Sequence, residues 1–344
     1  MTFLLILYFG VKNKMWYSKI DTIKVLVTSH CNLNCKHCYQ YYDKNKYQLS
    51  FDQLCEIVDF AYENKTRILD FGGGEFFSHP FAYQLLDYCF FKKISVNIAT
   101  NAINLETSFF EKYVNTQLLT IQTSIDGTKS THEQRRGMGT FDKTMENIKK
   151  LHKLGIPLTC SMALDQKNYR EAIYVLDIPY FSNYVFLPVA YEGAAKINAS
   201  NNELSEYEDT ICYLMKNSEC EEDTFSNQIF PNVLAIKYDG GIYLSPVAAD
   251  YDLLCMGNVN ENSIKTIVEN YSQSEEFKKI ISIDSMQIEE CNGCKISHIC
   301  NRGCRMRALK FFGNMLKPDP FYCRVMNNDY DKIPISKLFW GEGN

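Results

Sequence analysis

Cys31-Asn32-Leu33-Asn34-Cys35-Lys36-His37-Cys38 follows closely on a β-branched apolar run, Ile23-Lys24-Val25-Leu26-Val27-Thr28. Such a run reads as a buried strand, and the loop leaving its C-terminal end is where parallel α/β folds place their chemistry. Further short apolar runs follow at Ile68–Phe71, Ile94–Ala99, Leu118–Ile125, Ile156–Leu164 and Tyr184–Val189. Helical patterns separate them. Ser50 and Gln53 have capping-box spacing ahead of Leu54, Ile57, Val58 and Ala61, which share one helix face. Another helix runs from near Phe141 through Ile148 and Leu151, and Gly155 is placed to end it. Six strands with intervening helices predict a parallel β/α array, either an open doubly wound sheet or a partial barrel.

Beyond residue 200 the alternation fades. Asp239-Gly240, between Val233–Tyr238 and Gly241–Leu244, predicts a hairpin with a two-residue turn, and Ser263–Tyr271 predicts a helix. A second cysteine group follows: Cys291, Cys294, Cys300 and Cys304 in a C-x2-C-x5-C-x3-C run, with Cys323 beyond. With 14 cysteines in 344 residues, chance gives the first spacing in about 0.02 places and the second in about 0.001. Clustered thiols in a reducing compartment hold metal more often than they form disulfides. The remaining cysteines, Cys55, Cys89, Cys160, Cys212 and Cys220, read as small buried hydrophobes. The expected organisation is an N-terminal extension over 1–22, a core over 23–205, a smaller α+β cluster domain over 206–330 and a tail over 331–344.

Composition narrows the partners. Apolar residues make up 46% of the chain, enough for a full core, and Lys plus Arg minus Asp plus Glu is 36 − 41 = −5. A mildly acidic chain without a basic run has no electrostatic footprint for nucleic acid. The apolar segment Phe3–Phe9 falls far short of the roughly 20 residues that a spanning helix needs. It also lacks the flanks of a secretion signal. A cytoplasmic protein with neither nucleic-acid nor membrane partner is expected.

Three thiolates cannot complete a tetrahedral structural site, and only His37 lies near enough in sequence to make a fourth ligand for zinc. Three cysteines on one loop instead suit a four-iron cluster with one iron left open to bind a cofactor or substrate.

In this and the runs that follow it, the chain resembles the radical S-adenosylmethionine (SAM) enzymes. Their C-x3-C-x2-C signature has an aromatic before the last cysteine, the position of His37. Their Gly-Gly-Glu-Pro stretch is matched by Gly73-Gly74-Glu75-Phe76, with Phe76 replacing proline and His79-Pro80 beyond it. Thr100-Asn101-Ala102 stands where the family has Thr-Asn-Gly, and Ser124-Ile125-Asp126-Gly127 is followed by His132 and Arg136-Gly137. The resemblance extends from about Ile23 to Leu187. It implies that Cys31, Cys35 and Cys38 hold the cluster and that its open iron chelates the amino and carboxylate groups of SAM. By the same resemblance Gly73 and Gly74 approach the methionine moiety, Glu75 faces its ammonium and Arg136 its carboxylate. Asn101 lines the site, Ser124 reaches the ribose and His37 lies against the adenine. The implied reaction is one-electron cleavage of SAM to a 5′-deoxyadenosyl radical that abstracts a hydrogen atom from an unactivated carbon.

The second group resembles the SPASM domain of radical enzymes that modify peptides and proteins, where such a run serves two auxiliary four-iron clusters. By that pattern Cys291, Cys294, Cys300 and Cys323 hold the outer cluster and Cys304 belongs to the inner one. A zinc ribbon is the plain alternative. The family's hairpin carries a cysteine five residues past its turn glycine, a position held here by Ser245. The inner cluster therefore lacks at least one expected ligand, and Cys255 is left over with Cys304. Cys255 is a ligand of an atypical second cluster on one reading and a hydrogen-atom donor on another.

The resemblance thus implies a partial (β/α)6 barrel followed by a small α+β iron–sulfur domain. The implied function is a peptide maturase that forms thioether or carbon–carbon crosslinks in a ribosomally made precursor peptide. Its partners would be a reductant such as ferredoxin or flavodoxin and, because only about 22 residues precede the first strand, a separate leader-binding protein. Met15 is an alternative start. Peptide epimerisation, formylglycine formation in sulfatases, and a non-enzymatic iron–sulfur or zinc scaffold are the competing readings.

Overall fold

The structure is a computed structural model that describes residues 20–38, 46–114, 116–165, 167–188, 233–283, 287–294, 303–320 and 323. Cys212, Cys220, Cys300, Met15 and the expected boundaries near 205 and 330 lie outside the described residues.

Six parallel strands form the core sheet: β1 (Thr22–Thr28), β2 (Ile68–Gly73), β3 (Ser95–Thr100), β4 (Leu119–Ser124), β5 (Leu158–Leu164) and β6 (Asn183–Pro188). Each expected strand is found to within two residues at either end. Their spatial order is β6-β5-β4-β3-β2-β1, sequential throughout. A doubly wound sheet reverses its order at a switch point. This sheet does not, so the chain takes the partial-barrel alternative. Helices α1 (Phe51–Glu63), α2 (Ala82–Phe91), α3 (Lys129–Arg136), α4 (Thr140–Lys153) and α5 (Ala172–Leu176) lie in the crossovers. Helix α1 begins in the expected capping box, with both reciprocal bonds between Ser50 and Gln53 formed. It buries Leu54, Ile57, Val58, Phe60 and Ala61, while α4 buries Phe141, Ile148 and Leu151 in the same continuous core.

The sheet continues past β1. Strand β7 (Val233–Ile236) pairs with β1 in parallel, and β8 (Gly241–Tyr243) and β9 (Cys255–Asn258) extend it antiparallel, making nine strands. The hairpin between β7 and β8 departs from the two-residue expectation. Lys237 N–H donates to Gly241 O (2.9 Å) and Gly240 N–H to Lys237 O (2.9 Å), leaving a three-residue loop. Gly240 closes it at φ +92°, the left-handed position such loops demand. Asn258 and Asn260 brace this loop by donating to Asp239 O at 3.0 and 2.8 Å.

Helices α6 (Pro246–Asp250), α7 (Ile264–Ser272), α8 (Glu275–Ile281) and α9 (Arg305–Phe312) complete the described fold. Helix α1 ties both halves together: Gln53 Nε2 donates to Asn260 Oδ1 (2.9 Å), and Glu56 Oε1 accepts from Ile264 N–H (2.9 Å) at the start of α7. No helix among the described residues is long and apolar enough to cross a membrane.

Ser50→Ala deletes one bond of the α1 cap and should lower the unfolding free energy by about 1 kcal/mol, read from urea denaturation. A change near zero would mean that α1 starts without its cap.

Candidate active site

The C-terminal ends of β1 to β4 meet around the cysteine loop. Gly74 N–H donates to Thr28 O (2.7 Å) and Glu75 N–H to His30 O (2.8 Å). The chains approach so closely that a Cβ on Gly74 would stand 2.4 Å from His30 O, and one on Gly73 2.3 Å from Thr28 O. The contact that demands glycine here is with the backbone leading into Cys31. The expected approach of a bound methionine is not needed to explain it.

Glu75 is buried, and its carboxylate accepts from Thr100 Oγ1 (2.6 Å), Asn101 N–H (2.7 Å) and Phe77 N–H (3.1 Å). Burial raises its carboxyl above the usual range, and these donors offset part of that. Asn101 in turn donates from Nδ2 to Asn32 Oδ1 (2.7 Å), inside the cysteine loop, and its carbonyl accepts from Thr144 Oγ1 (2.9 Å) on α4. The two residues expected to face SAM thus also brace the ends of β2 and β3 against the loop.

From β4 comes a charge cluster. Asp126 is fully buried and accepts from Arg136 Nε (2.7 Å) and Nη2 (3.3 Å), with Arg135 Nε at 3.5 Å. His37 Nε2 lies 3.3 Å from Arg136 Nη2 and 3.5 Å from Asp126 Oδ2. Burial opposes the charge on Asp126, but Arg136, His37 and Arg135 outweigh it and hold the carboxyl far below its usual range. Burial pushes His37 down to about 3, so the ring is neutral at physiological pH. Lys36 N–H donates to Arg135 O (2.8 Å), so the turn between Cys35 and Cys38 is fastened to the end of α3 by backbone as well.

The loop after β5 latches this arrangement from outside. Asn168 Nδ2 donates to Asp126 O (3.1 Å) and Ala163 O (2.8 Å), Asp165 pairs with Arg135, and Glu171 accepts from Thr128 N–H (2.5 Å) and Thr131 Oγ1 (2.6 Å). Sequence reasoning does not single out Asp126, Asn168 or Glu171 as functional. Asp126 carries a usable signal, a carboxylate at a strand end ten residues before Arg136. The other two are ordinary polar loop residues. Ser124 is half-buried at the end of β4, level with Ser161 of β5.

The cysteines themselves suit a cluster. Cys31 is exposed and Cys35 and Cys38 are partly so, which leaves their sulfurs reachable at the strand ends. Binding iron displaces the thiol protons. Among the described residues no three His, Cys, Asp or Glu side chains converge at metal-ion distance.

In the second group, Cys294 N–H donates to Cys291 O (3.2 Å), the same turn as Cys38 N–H to Cys35 O (3.2 Å). Buried Asp319 organises the rest. Its carboxylate takes Cys304 N–H (2.7 Å) and a two-pronged Arg307 (2.8 and 3.1 Å), while its carbonyl accepts from Cys323 N–H (3.0 Å). The structure therefore draws Cys304 and Cys323 together through one residue. Cys255 is exposed at the start of β9.

Family models match the chain twice: the radical SAM superfamily over residues 25–177, and the SPASM iron–sulfur cluster-binding domain over 230–295. The AdoMet-dependent heme synthase of Methanosarcina barkeri is 24% identical over 334 residues, covering 86% of this chain and 94% of that protein. The subtilosin biosynthesis protein AlbA of Bacillus subtilis is 31% identical over 149 residues, 42% of this chain but only 33% of AlbA. Among solved structures, Streptococcus suis SuiB bound to S-adenosylmethionine shares the fold at TM-score 0.70 and 15% identity, over 88% of this chain and 77% of SuiB. The chain thus carries a radical SAM domain followed by a SPASM domain, and is an enzyme whose SAM-binding four-iron cluster is accompanied by an auxiliary cluster.

Proposed function

We propose that Cys31, Cys35 and Cys38 hold the SAM-binding cluster and that the enzyme matures a ribosomally made precursor peptide by forming a thioether or carbon–carbon crosslink. The observation that carries the site assignment is the bracing of the cysteine loop from three strand ends at once, through Gly74, Glu75–Asn101 and Arg136–Asp126. When bound and reduced, the cluster supplies the electron that cleaves SAM and generates the radical that abstracts hydrogen. The protein's own residues bind and orient. Arg136, held by Asp126 through Nε and Nη2, keeps Nη1 for the SAM carboxylate, where a guanidinium edge fits well. Ser124 serves the ribose, and neutral His37 offers its ring to the adenine. Glu75 acts on the methionine end by fixing the Gly73-Gly74 backbone. Cys291, Cys294, Cys300 and Cys323 are assigned to the outer auxiliary cluster.

The peptide substrate is supported by AlbA, a bacteriocin biosynthesis protein that is 31% identical where the two align. A reduced ferredoxin or flavodoxin would supply the electron. A second reading, a porphyrin substrate, is favoured by one observation: the alignment with the heme synthase runs through the cluster domain as well, over 334 residues. Incubation with SAM, reductant and a peptide encoded beside this gene should give a product lighter by two hydrogens per crosslink. Turnover of a porphyrin with no change in any such peptide would replace the first reading with the second, and an unchanged mass with an inverted residue would indicate epimerisation.

Replacing Cys31, Cys35 and Cys38 together by Ala should abolish 5′-deoxyadenosine formation while iron in the C-terminal domain stays bound. Undiminished cleavage would sink the ligand assignment. Arg136→Ala removes a charge-assisted contact worth roughly 1.5–3 kcal/mol and should weaken SAM binding about 10- to 150-fold. Asp126→Asn should weaken it too, and should also lower stability by about 3–5 kcal/mol because two arginines lose their buried counter-charge. Equal SAM affinity in all three proteins, measured by equilibrium binding, would rule out the carboxylate role.

A further inference from the structure

We propose that this enzyme carries one auxiliary cluster and that protein fills the place of a second, an inference that rests on assigning Cys291, Cys294, Cys300 and Cys323 to the outer cluster. The departure begins at Ser245. Its hydroxyl accepts from Ala248 N–H (3.1 Å), and Pro246 occupies the first helical position. Ser followed by Pro is a helix start. The residue that stands at a ligand position therefore nucleates helix α6, and its side chain is used as the cap.

Helix α6 then supplies filling. Ala248 and Ala249 are buried in one apolar cluster with Tyr243, Met306 and the Cys304 side chain, with Leu254 packed against it. Cys304 is 2% exposed, packed against these hydrophobes on one side and lying beside Arg307, Asp319 and the backbone N–H groups that open α9 on the other. The Tyr243 hydroxyl is bonded to Asp252.

The other leftover thiol has a different environment. Cys255 lies on β9, opposite Tyr243 in the register, and is exposed, with its Sγ donating to Gly257 O at 3.4 Å. One thiol is buried and the other meets solvent, and the Tyr243 side chain adjoins both, so protein lies beside each of the two thiols. Both are then structural or surface residues and not ligands. The Cys304 backbone N–H still matters, because its bond to Asp319 sets the start of α9 and places Cys323.

The test is the iron and sulfide content of the full-length protein purified without oxygen, with Mössbauer spectra to count cluster types. Two clusters give about eight iron atoms per chain, against about twelve for three. Wild type, Cys304→Ala and Cys255→Ala should all hold about eight, and Cys291→Ala about four. Twelve in the wild type would overturn the proposal, and that count also covers Cys212 and Cys220. So would the loss of one cluster's iron from Cys304→Ala or Cys255→Ala. The outer-cluster assignment fails separately, if Cys291→Ala keeps all its iron.

Discussion

One buried carboxylate carries much of the site. Glu75 begins just past β2, yet its oxygens bond to the chain after β3, and through Asn101 that chain reaches Asn32 in the cysteine loop. Its own N–H closes onto His30 O, one residue before Cys31. Three strand ends are thereby held at fixed separation around the loop. Burying a carboxylate is costly, and the three protein donors offset part of that cost. Two of the donors, Thr100 Oγ1 and Asn101 N–H, lie at the end of β3, and the third, Phe77 N–H, opens the turn after β2. The brace and the satisfaction of those strand ends are the same set of bonds.

The second support is electrostatic. Arg135 and Arg136 place two cations beside one buried carboxylate, an arrangement that stands only because Asp165, Ala163 O and neutral His37 share the load. Such a cluster is weak evidence for stability, since desolvation consumes most of its attraction. What it secures is position. Arg136 faces the cysteine loop with a fixed guanidinium, and the loop's Cys35–Cys38 turn is fastened to the same helix end by Lys36 N–H. The mobile element of such a site, a metal-binding loop, is thus tied to rigid ones on two sides.

Much of this is legible in the order of residues alone. All six core strands, the α1 capping box, the end of α4 at Gly155 and the cysteine loop follow from periodicity and spacing, because each is a local pattern repeated often enough to be unmistakable. The β7–β8 turn departs from expectation because of distant residues. Asp239-Gly240 suits a two-residue turn, but Asn258 and Asn260, far along the chain, hold Asp239 O in a longer loop. Glu75, expected to meet a ligand, is found bracing strand ends, because a carboxylate's partners depend on which loops the sheet brings together. Asn168 and Glu171 leave no trace in the residue pattern, since a polar loop residue becomes a latch only through the fold.

The sheet order explains how the two cluster-bearing halves are joined. Strand β1 has β2 on one side and β7 on the other, so the strand that launches the cysteine loop is also the strand on which the second half is built. No separate interface is needed between them. The β7–β8–β9 extension continues the same hydrogen-bonded ladder, and α1 clamps it through Gln53 and Glu56. Ile236 and Ile242 enter the main core with Ile264, Ile267 and Val268, while the smaller apolar cluster around Cys304 forms on α6 and α9. A change at Ser245 therefore acts far from its own loop. By capping α6, it sets Ala248 and Ala249 into the apolar cluster beside β8 that also holds Cys304 and Met306.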